Sequence, residues 1–269
     1  LPPPPAVKTD ADPRQALAMW MMGKENNFFP AVMVNRVWAD LMGRGIVEPV
    51  DDIRESNPPS NKELLEALAR HFRELNYDLK ALLKTILASR VYSLSSHPNE
   101  RNIADTRNYS RYYRQRLRAE VLLDGVCDIT GIPEDFSAMP PGSRAAELWT
   151  HRTTSTFLDT FGRPDPNQDP PCMRIDDTTV VQALHLMNAP NLDRKIRNEK
   201  SRASELASSK MSPEEIVEEL YLLVYARYPQ DKEIRVGSAR IPPPGKDRKG
   251  AVEDLLWALL NTPEFLFKG

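Results

Sequence analysis

An all-α fold is what this sequence predicts, on three observations. Apolar residues recur at helical spacing through most of the chain. The apolar stretches open on residues that cap helix N-termini, such as Asp12 before Pro13 and Asp78 before Leu79. No run alternates as a strand would, because the best candidate, Val47 to Ile53, is broken by Pro49 and by charges. The expected architecture is a multi-helix single domain over residues 12–267, behind a linker at 1–11. A long proline-rich irregular region at 131–176 interrupts it.

The elements follow in order. Asp12-Pro13 starts a helix carrying Leu17, Trp20 and Met21. Val34, Val37, Trp38 and Leu41 stand at i, i+3, i+4 and i+7 on a second helix that stops at Gly43. Residues 43–60, with two glycines and three prolines, read as a loop. Ser60 with Glu63 forms the pattern of a capping box. It introduces a third helix with Leu64, Leu65, Leu68, Phe72 and Leu75 as its stripe. Asp78 caps a fourth, with Leu79, Leu82, Leu83, Ile86 and Leu87 inward. Residues 93–108 are polar and irregular. A long helix is expected over 109–130, ending at Gly131, and another over 178–189 with Val181, Leu184 and Met187 inward. Ser212-Pro213-Glu214-Glu215 is a capping box with proline at the first helical position. The last helix uses Val252, Leu255, Leu256, Leu259 and Leu260. Leu82 to Leu94 aligns without gaps to Leu255 to Phe267, at the level that any two amphipathic helices reach.

Composition narrows the function classes. The 269 residues include 36 Lys and Arg against 38 Asp and Glu, a net charge of −2, so this is not a generally basic nucleic-acid binder. An apolar content of 41% supports a packed core and argues against wholesale disorder. Two cysteines exclude a disulfide scaffold and a four-thiolate zinc site, and no CxxCH is present to attach a c-type haem. No apolar run approaches the roughly 20 residues that cross a bilayer. The opening Leu1-Pro2-Pro3-Pro4-Pro5 reads as a stiff extended linker, as expected of a segment of a longer protein.

The motifs themselves carry a resemblance. Phe29-Pro30-Ala31-Val32-Met33-Val34-Asn35-Arg36-Val37-Trp38 leads into Gly43-Arg44-Gly45-Ile46-Val47, Asp51-Asp52-Ile53-Arg54 and Asn57-Pro58-Pro59-Ser60. Arg116-Leu117-Arg118-Ala119-Glu120, Phe157-Leu158-Asp159-Thr160-Phe161-Gly162-Arg163-Pro164, Gln182-Ala183-Leu184-His185-Leu186-Met187-Asn188 and Arg227-Tyr228-Pro229 follow. In order and spacing these resemble the PSD domain, a planctomycete-type domain of unknown function, from about residue 12 to 267. The resemblance implies an exported, periplasmic or cell-envelope protein. It also implies a place near the C-terminus of a large chain that often carries a cytochrome c domain. It supplies no catalytic residues. Relatives often have a Cys-x-Cys-x-Arg stretch, of which Pro171-Cys172-Met173-Arg174 keeps one cysteine.

Two residue clusters are candidate sites. The first is Asn35, Arg36, Trp38, Arg44, Asp51, Asp52, Arg54 and Asn57. Adjacent carboxylates can share a site and push one pKa up, which acid–base chemistry uses. The alternative is that Arg–Asp pairs pin the loop, or that Arg36 pairs with Asp40 one turn on. The second is Arg111, Arg114 and Arg118, one stripe at i, i+3 and i+7 if the segment is helical, with Tyr109, Tyr112 and Tyr113 interleaved. Such a stripe suits sulfate, phosphate or carboxylate groups. Its alternative is an ordinary salt-bridged face, with Arg116 and Glu120 one helical turn apart.

His71, His97, His151 and His185 are scattered without metal-ligand spacing, so no metal site and no cofactor are expected in this chain. Cys127 reads as a small core residue, and a Cys127–Cys172 disulfide would need an exported chain and suitable geometry. No GxSxG is present. The leading expectation is a non-catalytic interaction or scaffold module. Its partners would be other domains of the parent protein, such as the cytochrome c domain, or an anionic polysaccharide, and not nucleic acid. One alternative is an enzyme on a carbohydrate-type, sulfated or neutral, polymer, with Asp51 or Asp52 and Glu120 or Asp124 as acid and base. Another is electron-transfer docking of a cytochrome c domain through the arginines.

Overall fold

The computed structural model of the chain describes residues 12–137, 139–150, 152–164, 190–244 and 248–268. Among them are twelve α-helices, one 3₁₀ turn, and two strands of two residues each, β1 (Gln115–Arg116) and β2 (Phe267–Lys268). The fold is all-α apart from that small β element. The described residues fall into two compact units, one ending at Gln115 and the other running from Arg116 to Lys268, each with its own hydrophobic core.

The first unit holds α1 (Pro13–Met21), α2 (Phe28–Met42), α3 (Lys62–Glu74) and α4 (Leu79–Leu87). Asp12 caps α1 by accepting from Arg14 N, but no residue of that helix is buried. In α2, Val34, Trp38 and Met42 form the buried stripe and meet Leu65 and Phe72 of α3 and Leu82 and Ile86 of α4. Gly43 ends α2 with φ +77°, its N–H donating to Ala39 O at 2.8 Å.

The capping box expected at Ser60 does not form. Asn61 is the cap, accepting from Leu64 N at 2.9 Å, while Ser60 Oγ donates to Ile46 O at 3.0 Å. Asn caps as well as Ser, so the serine is free to hold the preceding loop. Asp78 caps α4 through the N–H groups of Lys80 and Ala81. Leu79 and Leu87, expected inward, stand 44% and 42% exposed, because they occupy the ends of a short helix whose packed turn holds Leu82 and Ile86. At matched positions of the internal echo, Leu87 is exposed and Leu260 fully buried, so burial does not follow the match.

The helix expected from residue 109 begins only at Ala119. The physical reason lies in the turn before it. Asp105 accepts hydrogen bonds from the N–H groups of Arg107, Asn108 and Ser110, a local arrangement that competes with helix. Tyr109 then takes a left-handed φ of +55°, and Tyr109 and Tyr112 turn their rings into the core. Tyr109 OH donates to the carbonyls of Arg44 and Gly45 at 3.0 and 2.7 Å, and Tyr112 OH to Leu41 O at 2.7 Å. The carbonyl of Leu41 belongs to the last turn of α2, where no intrahelical donor is left for it.

The second unit is built on α5 (Ala119–Thr130), which ends at Gly131 as expected. Around it stand α6 (Thr156–Thr160), α7 (Pro190–Ile196), α8 (Arg202–Ser208), α9 (Pro213–Tyr225), α10 (Asp231–Ser238), α11 (Arg248–Leu260) and α12 (Pro263–Leu266). Leu122, Leu123 and Val126 of α5 pack in one core with Leu158, Ile196, Ile216, Leu220, Val252, Leu256 and Leu260. The Ser212 capping box forms, with Glu215 N donating to Ser212 Oγ at 3.1 Å and Ser212 N to Glu215 Oε2 at 2.6 Å. The region after Gly131 is not bare loop, since it contains a 3₁₀ turn at Ala145–Glu147 and helix α6. Residues 165–176 and the helix expected at 178–189 lie outside the described residues, as do His151, Cys172 and His185.

Arginines tie this unit together. Arg227 holds Glu233 and Glu264, each through two hydrogen bonds of 2.6–2.9 Å, with its guanidinium over the rings of Tyr221 and Tyr225. Arg248, 1% exposed, reaches the carbonyls of Ser209 and Met211 just past the end of α8, where a cation is favoured.

Burial pushes the hydroxyls of Tyr109, Tyr112 and Tyr225 up to about 12 from the usual 10. A folded pKa above the unfolded one gives stability that is complete below the unfolded value and disappears as pH rises through the folded one. The melting temperature should therefore hold up to about pH 10 on account of these groups and fall between about 10 and 12. Ultraviolet titration of tyrosinate should show these three ionising late and together with unfolding. Early titration of all eight tyrosines would contradict this burial.

Candidate functional site

The first candidate cluster comes together around one amide. Asn35, wholly buried on α2, faces the loop that follows the helix. Its Nδ2 donates to Val47 O at 2.9 Å and Val50 O at 2.7 Å, and its Oδ1 accepts from Val47 N at 3.0 Å. The loop therefore lies against the helix with its backbone groups satisfied. Gly45 sits in that approach, and a Cβ there would lie 2.2 Å from Val47 O and 3.0 Å from Asn35 Nδ2. Trp38 lies beneath, buried, with its ring edge-on to Tyr109 at 5.3 Å.

The two acids of the cluster diverge. Asp51 takes Arg36 in a two-point pair, 2.6 Å to Nε and 3.0 Å to Nη2, on an exposed face. Hydrogen bonding to that guanidinium holds the Asp51 carboxyl below the usual carboxylate range. The Arg36–Asp51 pair spans fifteen residues of sequence and fastens the loop to α2. Asp52 instead meets Arg54 Nε at 2.9 Å and, through its backbone O, Asn57 Nδ2 at 2.9 Å. The two carboxylates do not share a site, since each meets its own arginine.

Glu120 and Asp124 stand in the second unit, on α5. Glu120 is a first-turn acid of that helix, where the helix dipole favours it. Asp124, 7% exposed, accepts from Ala145 N at 2.6 Å and Ala146 N at 3.1 Å. It thus caps the 3₁₀ turn from a distance in sequence. Arg144 adds a longer contact to it at 3.6 Å and pairs with Asp128 at 2.7 Å.

The expected arginine stripe is not a helix face. Arg111 and Arg114 stand in the irregular end of the first unit, and Arg118 precedes α5 in the second. Arg111 lies over the Tyr113 ring at 5.3 Å, and Arg114 is exposed. Arg116 also precedes the helix, and its Nη1 donates to Phe161 O at 2.9 Å. The later motif is used internally too. Buried Arg163 pairs with Asp159 at 2.6 Å and donates to the carbonyl of Thr153.

The remaining single residues are unremarkable chemically. His71 shares a 3.2 Å hydrogen bond with Thr85, and His97 stands exposed in the turn region. Cys127 is partly buried on α5, and burial pushes its thiol up, away from the reactive thiolate. Among the described residues no three His, Cys, Asp or Glu side chains are placed to hold a metal ion.

A family model matches residues 13–240, more than four-fifths of the chain, and its description is PSD1, protein of unknown function (DUF1553). The chain belongs to the PSD1 family. No curated protein and no solved structure matches it. The PSD1 match starts at the first residue of α1 and spans every motif quoted above. Two features of this PSD1 chain were not legible in the motifs. One is Glu48, whose Oε2 accepts from Gly45 N at 2.9 Å and closes the turn. The other is a cavity of about 130 Å³ beside it, where Arg44 and Arg107 come together with Asn57 and Ser60. The spacing Gly45-x-x-Glu48 was the only trace of the first, and nothing local signals the second.

These contacts rank the variants. Asn35→Ala leaves three buried backbone groups without partners and should cost about 3 kcal/mol. Asp124→Ala removes a two-donor cap and should cost about 2 kcal/mol. Asp51→Asn loosens an exposed pair and should cost less than about 1 kcal/mol. Urea denaturation checks the order, and an Asp51→Asn as damaging as Asn35→Ala would contradict it.

Proposed function

We propose that this PSD1 chain is a non-catalytic interaction module of a larger, exported cell-envelope protein of planctomycete type. One observation carries the reading. The polar side chains of the motifs are engaged in holding loops onto helices: Asn35, Arg36 with Asp51, Asp52 with Arg54, Asp124, Arg163 and Arg227. An acid–base pair needs one carboxyl raised toward neutrality, and Asp51 moves the other way. Asp124 accepts two backbone hydrogen bonds in a buried place, which is the work of a cap.

What remains outward suits contact with partners. Helix α1 buries none of its residues, and Leu17 and Met19 are 52% and 70% exposed. Exposed apolar side chains on an amphipathic helix favour association. The irregular end of the first unit presents Arg107 and Arg114, both exposed, and Arg111 backed by Tyr113. Guanidinium groups of this kind suit carboxylate or sulfate partners. An anionic envelope polysaccharide, or an acidic face of the parent protein's cytochrome c domain, is the partner class this implies.

The test immobilises sulfated and neutral polysaccharides and the parent cytochrome domain. It measures retention of the chain across a salt series, together with released sugars. Retention that falls with salt, drops about tenfold or more for Arg111→Glu with Arg114→Glu, and releases no sugar is expected. Released sugar would replace this reading with an enzymatic one.

A further inference from the structure

Arg44 and Arg107 meet at the small polar cavity beside Glu48, and anchored backbone holds both of them there. Asp105 fixes the turn that carries Arg107, accepting from the N–H groups of Arg107, Asn108 and Ser110 at 2.8–2.9 Å. Tyr109 OH ties that turn to the carbonyls of Arg44 and Gly45 at 3.0 and 2.7 Å. All of these residues belong to the first unit.

The two side chains are unpaired. Among the described residues neither guanidinium makes a hydrogen bond or an ion pair, whereas those of Arg36, Arg54, Arg144, Arg163 and Arg227 all do. Arg44 is half-buried, where a charge without a partner is less favourable than in open water. The other polar side chains of the lining are already engaged. Glu48 Oε2 accepts from Gly45 N at 2.9 Å, Asn57 Nδ2 donates to the carbonyls of Glu48 and Asp52, and Ser60 Oγ donates to Ile46 O. Asp52, the next acid along the loop, is taken by Arg54 at 2.9 Å. The free side-chain donors of the cavity are therefore its two guanidiniums, against one carboxylate.

The geometry points to a binding site for one tetrahedral oxyanion group, a sulfate or a phosphate, held between Arg44 and Arg107. The cavity, at about 130 Å³, is well below the roughly 300–1,000 Å³ that takes in a whole small molecule, so it receives a single group. A tetrahedral oxyanion offers a pair of oxygens to each guanidinium fork, while a carboxylate has two oxygens for both. A cation would be repelled, and a neutral hydroxyl would leave both charges uncompensated. The inference does not rest on the proposed partner surface, since Arg111 and Arg114 do not line this cavity.

The full 269-residue chain is titrated with sodium sulfate, inorganic phosphate, glucose 6-sulfate, acetate and glucose, at an ionic strength held near 0.15 M, about the physiological value, with sodium chloride. The readout is the guanidinium Nε–H resonances of Arg44 and Arg107, assigned through Arg44→Gln and Arg107→Gln. Saturable movement of both with sulfate and phosphate, about fivefold or more weaker with acetate and absent with glucose, is expected. Each glutamine variant should weaken sulfate binding about tenfold or more, read on the remaining arginine, and should fold, because neither side chain it removes bonds to the protein. Glu48→Gln keeps an acceptor for Gly45 N and removes the opposing charge, so it should tighten binding about threefold. Arg111→Glu with Arg114→Glu should keep sulfate binding within about threefold, which separates this site from the partner surface. Tighter binding of glucose 6-sulfate than of inorganic sulfate identifies a sulfated sugar as the source of the group, and the reverse identifies a free ion. No saturable movement, equal movement with acetate or glucose, or sulfate binding unchanged in both arginine variants overturns the proposal.

Discussion

The side-chain amide of Asn35 is the interaction on which the first unit depends. It satisfies Val47 twice and Val50 once from inside the fold. Without it the loop after α2 would carry buried backbone groups with no partner, each costing on the order of 1–3 kcal/mol. With it, Ile46 and Val47 can be core residues although they lie in a loop. Ser60 and Tyr109 then bond to carbonyls at the near end of that loop, and Arg36 fastens its far end from the surface. The close approach leaves room for glycine alone at position 45.

The second unit applies the same physics with longer side chains. Lys195 donates to the carbonyls of Ile132 and Pro133 and meets Glu134, which secures the chain just past α5. Arg227 joins the start of α10 to α12, and Arg248 closes the end of α8. The excess of Arg over Lys suits this use, since a planar fork with several donors meets paired carboxylate oxygens and backbone carbonyls at fixed angles. Motif polarity in a PSD1 chain is thus bound up first with loop fixation.

Much of the helical content was legible because it is local. Asp12, Asp78 and Ser212 cap the helices they were expected to cap, and Gly43 and Gly131 end theirs in the left-handed conformation. Caps and apolar stripes act within one or two turns, so neighbouring residues suffice to reveal them. The same reading extended α5 ten residues too far back. The pattern of Arg and Tyr over 109–118 suits a helix, but Asp105 and the pull of the core on Tyr109 and Tyr112 decide otherwise. That decision depends on carbonyls more than sixty residues away.

Residue types and spacing by themselves determined the all-α class and the ends of the helices that carry their own caps, because capping and amphipathic periodicity are short-range effects. Only the tertiary structure decided which acid meets which base. Asp51 goes to Arg36 and Asp52 to Arg54, Asp124 becomes a cap for a turn twenty-one residues on, and Glu233 and Glu264 both go to Arg227. The physical reason is that a carboxylate's chemistry is set by the donors and solvent around it, and those are delivered by chain segments far apart in sequence.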